Sequence, residues 1–329
     1  MYFKGYGGFS PWSISIKLWK SLSKGVWGIL PIILTLTALM VLSSCGEKEA
    51  AVKLGSKNFT EQFIISNIIG QFLESKGIKV NTDMLGLGST ALVHQAIVNG
   101  EIDLYCEYTG TGLTTILKEP VIVDPDECYQ RVKTQYKEKF DLVWLKPLGY
   151  NSTWVLVMRK DKADQLGIKR ISDLKDHADT LRFGTEQTFL AREDGYPGLT
   201  KAYEFEFRNM KAMEGSGLMY MALSGDNLDV VTGYGTDGQI AALDLVALED
   251  DKSFFPPYDA APVVRSELLE RTLDFASATK PGIGDVLNQL AGKITTEAMS
   301  AMCNEVDGES KEPKQVAREW LRREGLVGD

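Results

Sequence analysis

Cysteine and histidine are scarce in this chain of 329 residues, which has four cysteines and two histidines. No Cys-x-x-Cys pair occurs, and neither His94 nor His177 lies in a recognisable nucleophile, metal or phosphate motif. These absences argue against a zinc site and against a hydrolase built on a histidine base. We therefore expect no metal, no cofactor and no enzymatic activity, and a secreted enzyme is only a remote alternative.

Disulfides are also expected to be few. Beyond Cys45 only Cys106, Cys128 and Cys303 remain, and this odd number leaves at least one thiol free. We predict that they are small buried apolar residues, with one disulfide as the open alternative.

Basic residues and long apolar runs are in short supply once the first 44 residues are set aside. Those residues contain four lysines and no acid, so 32 of the 36 basic residues remain against 45 acidic ones, a net charge of −13. Such a surface disfavours nucleic acid as a partner. No later run approaches the ~20 apolar residues that a bilayer crossing needs, so the rest of the chain is not predicted to be a channel or permease.

The first 44 residues have the pattern of a secretion signal. Four lysines lead into the apolar run 26–42, which ends in Leu42-Ser43-Ser44-Cys45. This ending resembles a bacterial lipobox, whose cysteine is lipidated and becomes the new N-terminus. We predict a lipoprotein signal peptide over 1–44, a lipid-anchored linker over 45–51, and an extracytoplasmic protein held on the membrane through Cys45. A plain membrane anchor is the alternative.

Strand and helix patterns alternate along the remaining 285 residues, which suffice for two lobes. This order predicts parallel sheets covered by helices. Asn58 and Glu61 have the spacing of a capping box, and Asp124-Pro125 marks another helix start. A strand is predicted near 204–207, and a charged amphipathic helix over 314–323.

Two stretches share a pattern of glycine, aspartate and tyrosine. They are GEIDLYCEYTGTG at 100–112 and GDNLDVVTGYGT at 225–236, and the spacing of Asp103 to Tyr108 equals that of Asp229 to Tyr234. Each predicts a short buried strand that ends at its tyrosine. Because ligands bind beyond the carboxyl ends of strands in open α/β sheets, we expect two lobes that present these tyrosines to one cleft.

Four motifs, in order, resemble the solute-binding protein of ABC importers for glycine betaine, choline and carnitine. They are GSKNFTEQ at 55–62, GLGST at 86–90, EYTGTG at 107–112 and FPPYDA at 255–260. The resemblance implies an α/β, two-lobed periplasmic-binding-protein fold of type II, in which two parallel-sheet-based lobes are joined by a two-crossing hinge. Lobe 1 would comprise 52–151 and 254–329, and lobe 2 would comprise 152–253.

The resemblance also implies partners and binding residues. The partners would be a small quaternary-ammonium ligand and an ABC permease with its ATPase. The aromatic cage would consist of Tyr108, Trp154, Tyr234 and Tyr258, with tryptophan at a position where relatives often have tyrosine. A ligand carboxylate would be bound by Lys57, Thr111 and Arg192.

The chemistry of the ligand explains these residue types. A quaternary ammonium has no N–H to donate, so aromatic faces within ~6 Å must hold it, each contributing roughly 0.5–2 kcal/mol. Arginine can bind a carboxylate through two hydrogen bonds, whereas lysine offers a point charge. Other roles stay open: the rings could be packed aromatics, Lys57 could neutralise an acid, and Arg192 could pair with Glu193 or Asp194 at the surface.

We predict a receptor for glycine betaine or proline betaine, because Lys57 and Arg192 suit a carboxylate. Choline, carnitine, another amine or an amino acid is the alternative. Since both lobes contribute to the cage, the full site would exist only when the cleft closes, and ligand binding would favour the closed state.

Overall fold

The computed structural model describes residues 51–213, 215–270 and 282–328. The predicted signal peptide and the lipidation site Cys45 lie outside these residues. None of the helices in the described ranges is long and apolar enough to cross a membrane. The three cysteines in this part of the chain are buried and free, so the predicted role as small buried residues is confirmed for Cys106, Cys128 and Cys303.

Ten strands in the described residues form two five-stranded mixed sheets. The first sheet has the order β2-β1-β3-β10-β4 and the second the order β7-β6-β8-β5-β9. The strands are β1 (Val52–Gly55), β2 (Val80–Met84), β3 (Leu104–Tyr108), β4 (Leu142–Trp144), β5 (Trp154–Arg159), β6 (Arg182–Thr185), β7 (Asn209–Ala212), β8 (Val230–Tyr234), β9 (Leu245–Ala247) and β10 (Ala260–Arg265).

The two sheets have the same topology. In each, three neighbouring strands are parallel, and the fourth strand runs antiparallel to its neighbours on both sides. That antiparallel strand is β10 in the first sheet and β5 in the second, and each directly follows a crossing from the other sheet. We call the part of the chain built on the first sheet lobe 1 and the part built on the second sheet lobe 2.

The crossings lie between β4 and β5 and between β9 and β10. They run side by side, with a bridge between Asn151 and Asp259. The Ser152 N–H donates to the carbonyl of Tyr258 at 3.1 Å, and the Ala260 N–H donates to the carbonyl of Tyr150 at 3.2 Å. Two adjacent crossings with few torsions are the geometry of a hinge.

Helices cover the sheets and begin where the strands end. The first helix buries the apolar pairs that recur every four residues, among them Ile64, Ile65, Ile68 and Ile69. The helices are α1 (Thr60–Ser75), α2 (Thr90–Val98), α3 (Thr109–Thr111), α4 (Pro125–Phe140), α5 (Lys160–Leu166), α6 (Gln187–Ala191), α7 (Tyr196–Tyr203), α8 (Ser216–Ser224), α9 (Gln239–Ala242), α10 (Ser266–Glu270), α11 (Ile283–Leu287), α12 (Thr296–Asp307) and α13 (Pro313–Arg323).

Of two helix caps predicted from the sequence, one is confirmed and the other is wrong. Asp124 caps α4 as predicted, accepting the Glu127 N–H at 2.8 Å. The predicted capping box of Asn58 and Glu61 is wrong: Phe59 is the residue before α1 and offers no side-chain cap. Glu61 instead turns its carboxylate toward hydroxyl groups in the interior.

The strand predicted near 204–207 is also wrong. Helix α7 ends at Tyr203, Glu204 adopts a left-handed conformation with φ +58°, and the strand begins only at Asn209. Phe205 and Phe207 lie in an irregular segment and are buried. Their alternation with exposed residues has the pattern of a half-buried strand, which explains the wrong prediction. The true strand, β7, is an exposed edge strand and carries no such alternation.

Candidate functional site

The four predicted cage aromatics lie at equivalent places in the two lobes. Tyr108 ends β3, beside β10 and the crossing residue Tyr258 that precedes it. Tyr234 ends β8 and lies opposite Trp154, the first residue of β5. In both lobes, therefore, one ring comes from the end of a central strand and the other from the start of the neighbouring antiparallel strand or the segment before it.

A fifth aromatic residue connects the rings of the two lobes. Phe59 stacks on Tyr108 with a centroid distance of 6.4 Å and on Tyr234 with a centroid distance of 5.9 Å. Tyr234 in turn lies 4.5 Å from Trp154, measured between ring centroids, and Trp154 lies 4.9 Å from Phe189. The structure thus brings Tyr108, Trp154 and Tyr234 into one aromatic row across the cleft.

Buried carboxylates hold the hydroxyl groups of the lobe 1 tyrosines. Tyr108 donates to Glu61 Oε1 at 2.5 Å and accepts from Gln62 at 2.9 Å. Tyr258 donates to Asp194 Oδ2 at 2.6 Å. Because Asp194 belongs to lobe 2, the Tyr258 hydrogen bond crosses the cleft.

Glu61 also joins the two lobes. Its Oε2 accepts from Ser152 in the first crossing at 2.9 Å and from Thr236 in lobe 2 at 2.5 Å. One carboxylate from α1 therefore binds a cage tyrosine of its own lobe and the loop that follows Tyr234 in the other lobe. The two lobes are therefore in contact at the site.

Arg192 lies between the tyrosines of the two lobes, but it is already paired. Its guanidinium binds Asp194 through two hydrogen bonds, at 2.7 and 2.5 Å, and approaches the Thr114 hydroxyl at 3.3 Å. Burial lowers the pKa of Arg192, but Asp194 together with the Tyr258 and Tyr234 phenols outweighs that effect and raises it. The pairing with Asp194 occurs in the cleft rather than at the surface.

Lys57 lies close to Tyr108, with its ammonium 4.7 Å from the ring centroid. The same ammonium forms a buried ion pair with Glu107. Thr111 is buried in α3, directly after β3, in the same segment as the cage tyrosine of lobe 1. Lys57 and Arg192 are thus both neutralised by carboxylates of the protein itself. The sequence left such pairing open as the alternative to binding a ligand carboxylate.

Several contributors to the site were not predicted from the sequence: Phe59, Glu61, Gln62, Glu107, Thr114, Phe189 and Asp194. Four of these, Phe59, Glu61, Gln62 and Glu107, lie within motifs that were singled out, but the residue pattern does not predict which side chains point into the site. Glu61 was assigned to a helix cap, since its spacing from Asn58 fits one. The contacts that select it involve Thr236, 175 residues away.

The arrangement combines electron-rich faces with a surplus of carboxylates. Glu61, Glu107 and Asp194 bring three acidic groups, against the two basic groups of Lys57 and Arg192. Aromatic faces and a negative local balance both favour a cation that cannot donate hydrogen bonds. Rings supplied by two lobes would enclose it more fully as the lobes approach.

Comparison with known proteins agrees with this geometry. The family described as the substrate binding domain of ABC-type glycine betaine transport system matches residues 50–323. A carnitine transport binding protein, OpuCC of Listeria monocytogenes, is 37% identical over 300 residues, which are 88% of this chain and 94% of that protein. A glycine-betaine-binding protein of Pseudomonas aeruginosa is 35% identical over 288 residues, which are 84% of this chain and 89% of that protein.

A solved structure has the same fold. It is described as the crystal structure of a glycine betaine/carnitine/choline ABC transporter, and it matches with a TM-score of 0.71 and 36% identity over 84% of this chain and 99% of that one. The chain belongs to the family of substrate-binding domains of ABC-type glycine betaine transport systems.

Proposed function

We propose that the protein captures a small quaternary-ammonium compound with a carboxylate, glycine betaine or proline betaine foremost, and delivers it unchanged to an ABC permease outside the cytoplasm. One observation carries the proposal. Rings of both lobes meet at the cleft: Tyr108 of lobe 1 lies in one aromatic row with Trp154 and Tyr234 of lobe 2, and Tyr258 of lobe 1 donates to Asp194 of lobe 2.

The energetics of this network suit such a ligand. A desolvated cation gains up to ~2 kcal/mol from each aromatic face, so several rings together support micromolar affinity once a carboxylate contact is added. Hydroxyl groups that donate to carboxylates, as in Tyr108 and Tyr258, increase the negative charge available on their rings. Arg192 and Lys57 lie beside the same rings and are the groups that a ligand carboxylate would contact.

Calorimetry with glycine betaine, proline betaine, choline and carnitine tests the proposal. We expect heat of binding from at least one of them, and a loss of more than ~2 kcal/mol, about 30-fold in Kd, in Tyr108→Ala and Tyr258→Ala. Tyr129→Ala is the control, because it removes a partly buried tyrosine of α4 whose hydroxyl binds the Leu145 carbonyl. Heat from none of the four compounds would reject the proposal.

Choline is the second candidate, and the ion pairs favour it. Both basic groups beside the rings are matched by buried carboxylates, Lys57 by Glu107 and Arg192 by Asp194. A ligand with a positive charge alone would leave both pairs intact, whereas a ligand carboxylate must compete with Glu107 or Asp194. A lower Kd for choline than for glycine betaine would decide for this candidate.

We also propose that the mature protein is tethered to the membrane by lipid on Cys45. The support is the lysine-rich start, the apolar run 26–42 and the small residues before the cysteine. Mass spectrometry of the N-terminal peptide from a bacterial host should find a diacylated Cys45 as the first residue. A Cys45→Ser variant should carry no diacyl group, and an unmodified wild-type peptide containing residues 40–50 would contradict the anchor.

A further inference from the structure

The ion pair of Lys57 and Glu107 lies beside a cage ring. Lys57 follows β1, and Glu107 precedes Tyr108 in β3; their side chains are 6% and 0% exposed. The Lys57 ammonium is 4.7 Å from the Tyr108 ring centroid, and Glu107 Oε1 also accepts the Tyr108 backbone N–H at 2.8 Å. The lysine expected to bind a ligand carboxylate therefore already has a buried counter-ion.

We propose that Glu107 is a specificity-determining residue, whose charge decides how strongly the cleft prefers a quaternary ammonium ligand with a carboxylate over one without. Glu107 acts through Lys57 and so is a positioning residue. The inference rests on the proposed function and deepens it. With the pair intact, a carboxylate ligand must share Lys57 with Glu107, while a purely cationic ligand meets a neutral pair.

The hydroxyls of Tyr105 and Tyr136 are buried near Glu107. The pKa of both phenols is raised, mainly by burial and next by the Glu107 charge, so the carboxylate lies close enough to interact with them electrostatically. Tyr136 and Trp144 are in edge contact, with ring centroids 5.3 Å apart.

The charge argument predicts opposite effects for the two partners. Glu107→Gln leaves an unpaired positive charge beside the ring, which repels a cation and can bind a ligand carboxylate. Lys57→Met leaves a negative charge there, which attracts a cation and repels a carboxylate. The double variant restores a neutral site.

The experiment measures Kd for glycine betaine and choline by calorimetry at pH 6 to 7 on the wild type, both single variants and the double variant. We expect the ratio of choline Kd to glycine betaine Kd to rise about ten-fold in Glu107→Gln and to fall about ten-fold in Lys57→Met. The double variant should return toward the wild-type ratio. Glu101→Gln, at an exposed glutamate, is the charge control.

The ratio separates specificity from damage to the fold. Both ligands are measured on one preparation, so a misfolded fraction lowers the two stoichiometries equally and leaves the ratio unchanged. If the wild type binds but the single variants leave the ratio unchanged, or move it in the same direction, Glu107 has no such role. If the wild type binds no quaternary ammonium compound, the proposed function is overturned, and this inference falls with it.

Discussion

Carboxylates organise the cleft residue by residue. Glu61 accepts from Tyr108, Asp194 accepts from Tyr258 and binds Arg192, and Glu107 pairs with Lys57. Burial raises the pKa of Asp194, but Arg192, Tyr258 and Thr114 outweigh burial and lower it. The acid therefore stays ionised, and it holds one cage tyrosine and one guanidinium in fixed positions.

Asp237 is an acid in this region whose pKa moves in the other direction. Burial, followed by the nearby charges of Glu61 and Asp307, raises its pKa from 3.8 to about 7, although hydrogen bonds from Tyr234 N–H and Tyr220 oppose the shift. The folded state therefore binds a proton that the unfolded chain releases near pH 4. The contribution of this group to the free energy of unfolding is fully present below that pH, and it is lost as the pH rises through about 7.

Replacing Asp237 by asparagine should remove this pH dependence. The asparagine oxygen can still accept from Tyr220 and from the Tyr234 N–H, which now donate at 2.7 and 2.9 Å. We expect the free energy of unfolding of the wild type to fall by about 2–3 kcal/mol between pH 5 and pH 8 relative to Asp237→Asn. Urea unfolding at pH 5, 6, 7 and 8 measures it, with Asp83→Asn as a surface control; equal slopes would contradict the assignment.

At the scale of elements, the two lobes repeat one design. Asp103 before β3 and Asp229 before β8 both accept a backbone N–H from the neighbouring parallel strand, from Lys53 at 2.9 Å and from Arg182 at 2.8 Å. Each aspartate thus fixes the start of the strand that ends in a cage tyrosine. The spacing shared by the two stretches in the sequence reflects this repeated junction.

The C-terminal helix α13 is an element whose role is structural. It packs along α1, and Trp320 is 1% exposed within that contact. Removing a buried tryptophan ring leaves a cavity, so Trp320→Ala should lower the free energy of unfolding by about 3–5 kcal/mol. Glu319→Ala, at the exposed neighbour, should change it by less than ~0.5 kcal/mol. Urea titration of both variants measures this, and equal effects would refute the packing argument.

For the whole molecule, the contacts between the lobes determine when the site is complete. Glu61 binds Thr236, Asp194 binds Thr114 and Tyr258, and Phe59 stacks on Tyr234, all across the cleft. None of these contacts survives if the lobes separate about the two crossings. A ligand between the rings adds contacts available only in the closed arrangement and so shifts the population toward it.

Gly238 offers a direct test of closure. It precedes α9 in lobe 2 with an ordinary φ of −61°, but a Cβ there would lie 2.5 Å from the backbone nitrogen of Asn304 in α12. Helix α12 packs on α1, so Gly238→Ala should push the lobes apart and weaken glycine betaine binding about ten-fold. X-ray scattering of the liganded variant should give a larger radius of gyration than that of the wild type.

The control for closure is Gly217→Ala in α8 of the same lobe. A Cβ at Gly217 would meet Gln239 only at 3.8 Å, an ordinary contact. We expect it to keep the wild-type affinity and scattering curve. If Gly238→Ala matches this control in both measurements, the contact between α9 and α12 does not limit closure.

The sequence by itself determined where the strands that carry Tyr108 and Tyr234 end, and its resemblance to a family supplied the cage candidates. Tyr108 and Tyr234 end their strands as predicted, because glycine, aspartate and an apolar run specify a short buried strand through neighbouring residues alone. The resemblance of several short motifs then indicated the family, which the comparisons show. These features depend on local pattern and can be recognised along a single stretch of chain.

Only the tertiary structure determined which polar groups contact each other. Glu61 has the spacing of a helix cap but binds Thr236, 175 residues away, and Lys57 finds Glu107 50 residues away. Phe59 joins two tyrosines of different lobes for the same reason. Charge pairing and ring stacking act through space, so their partners are selected by the approach of two lobes, and no local spacing encodes that approach.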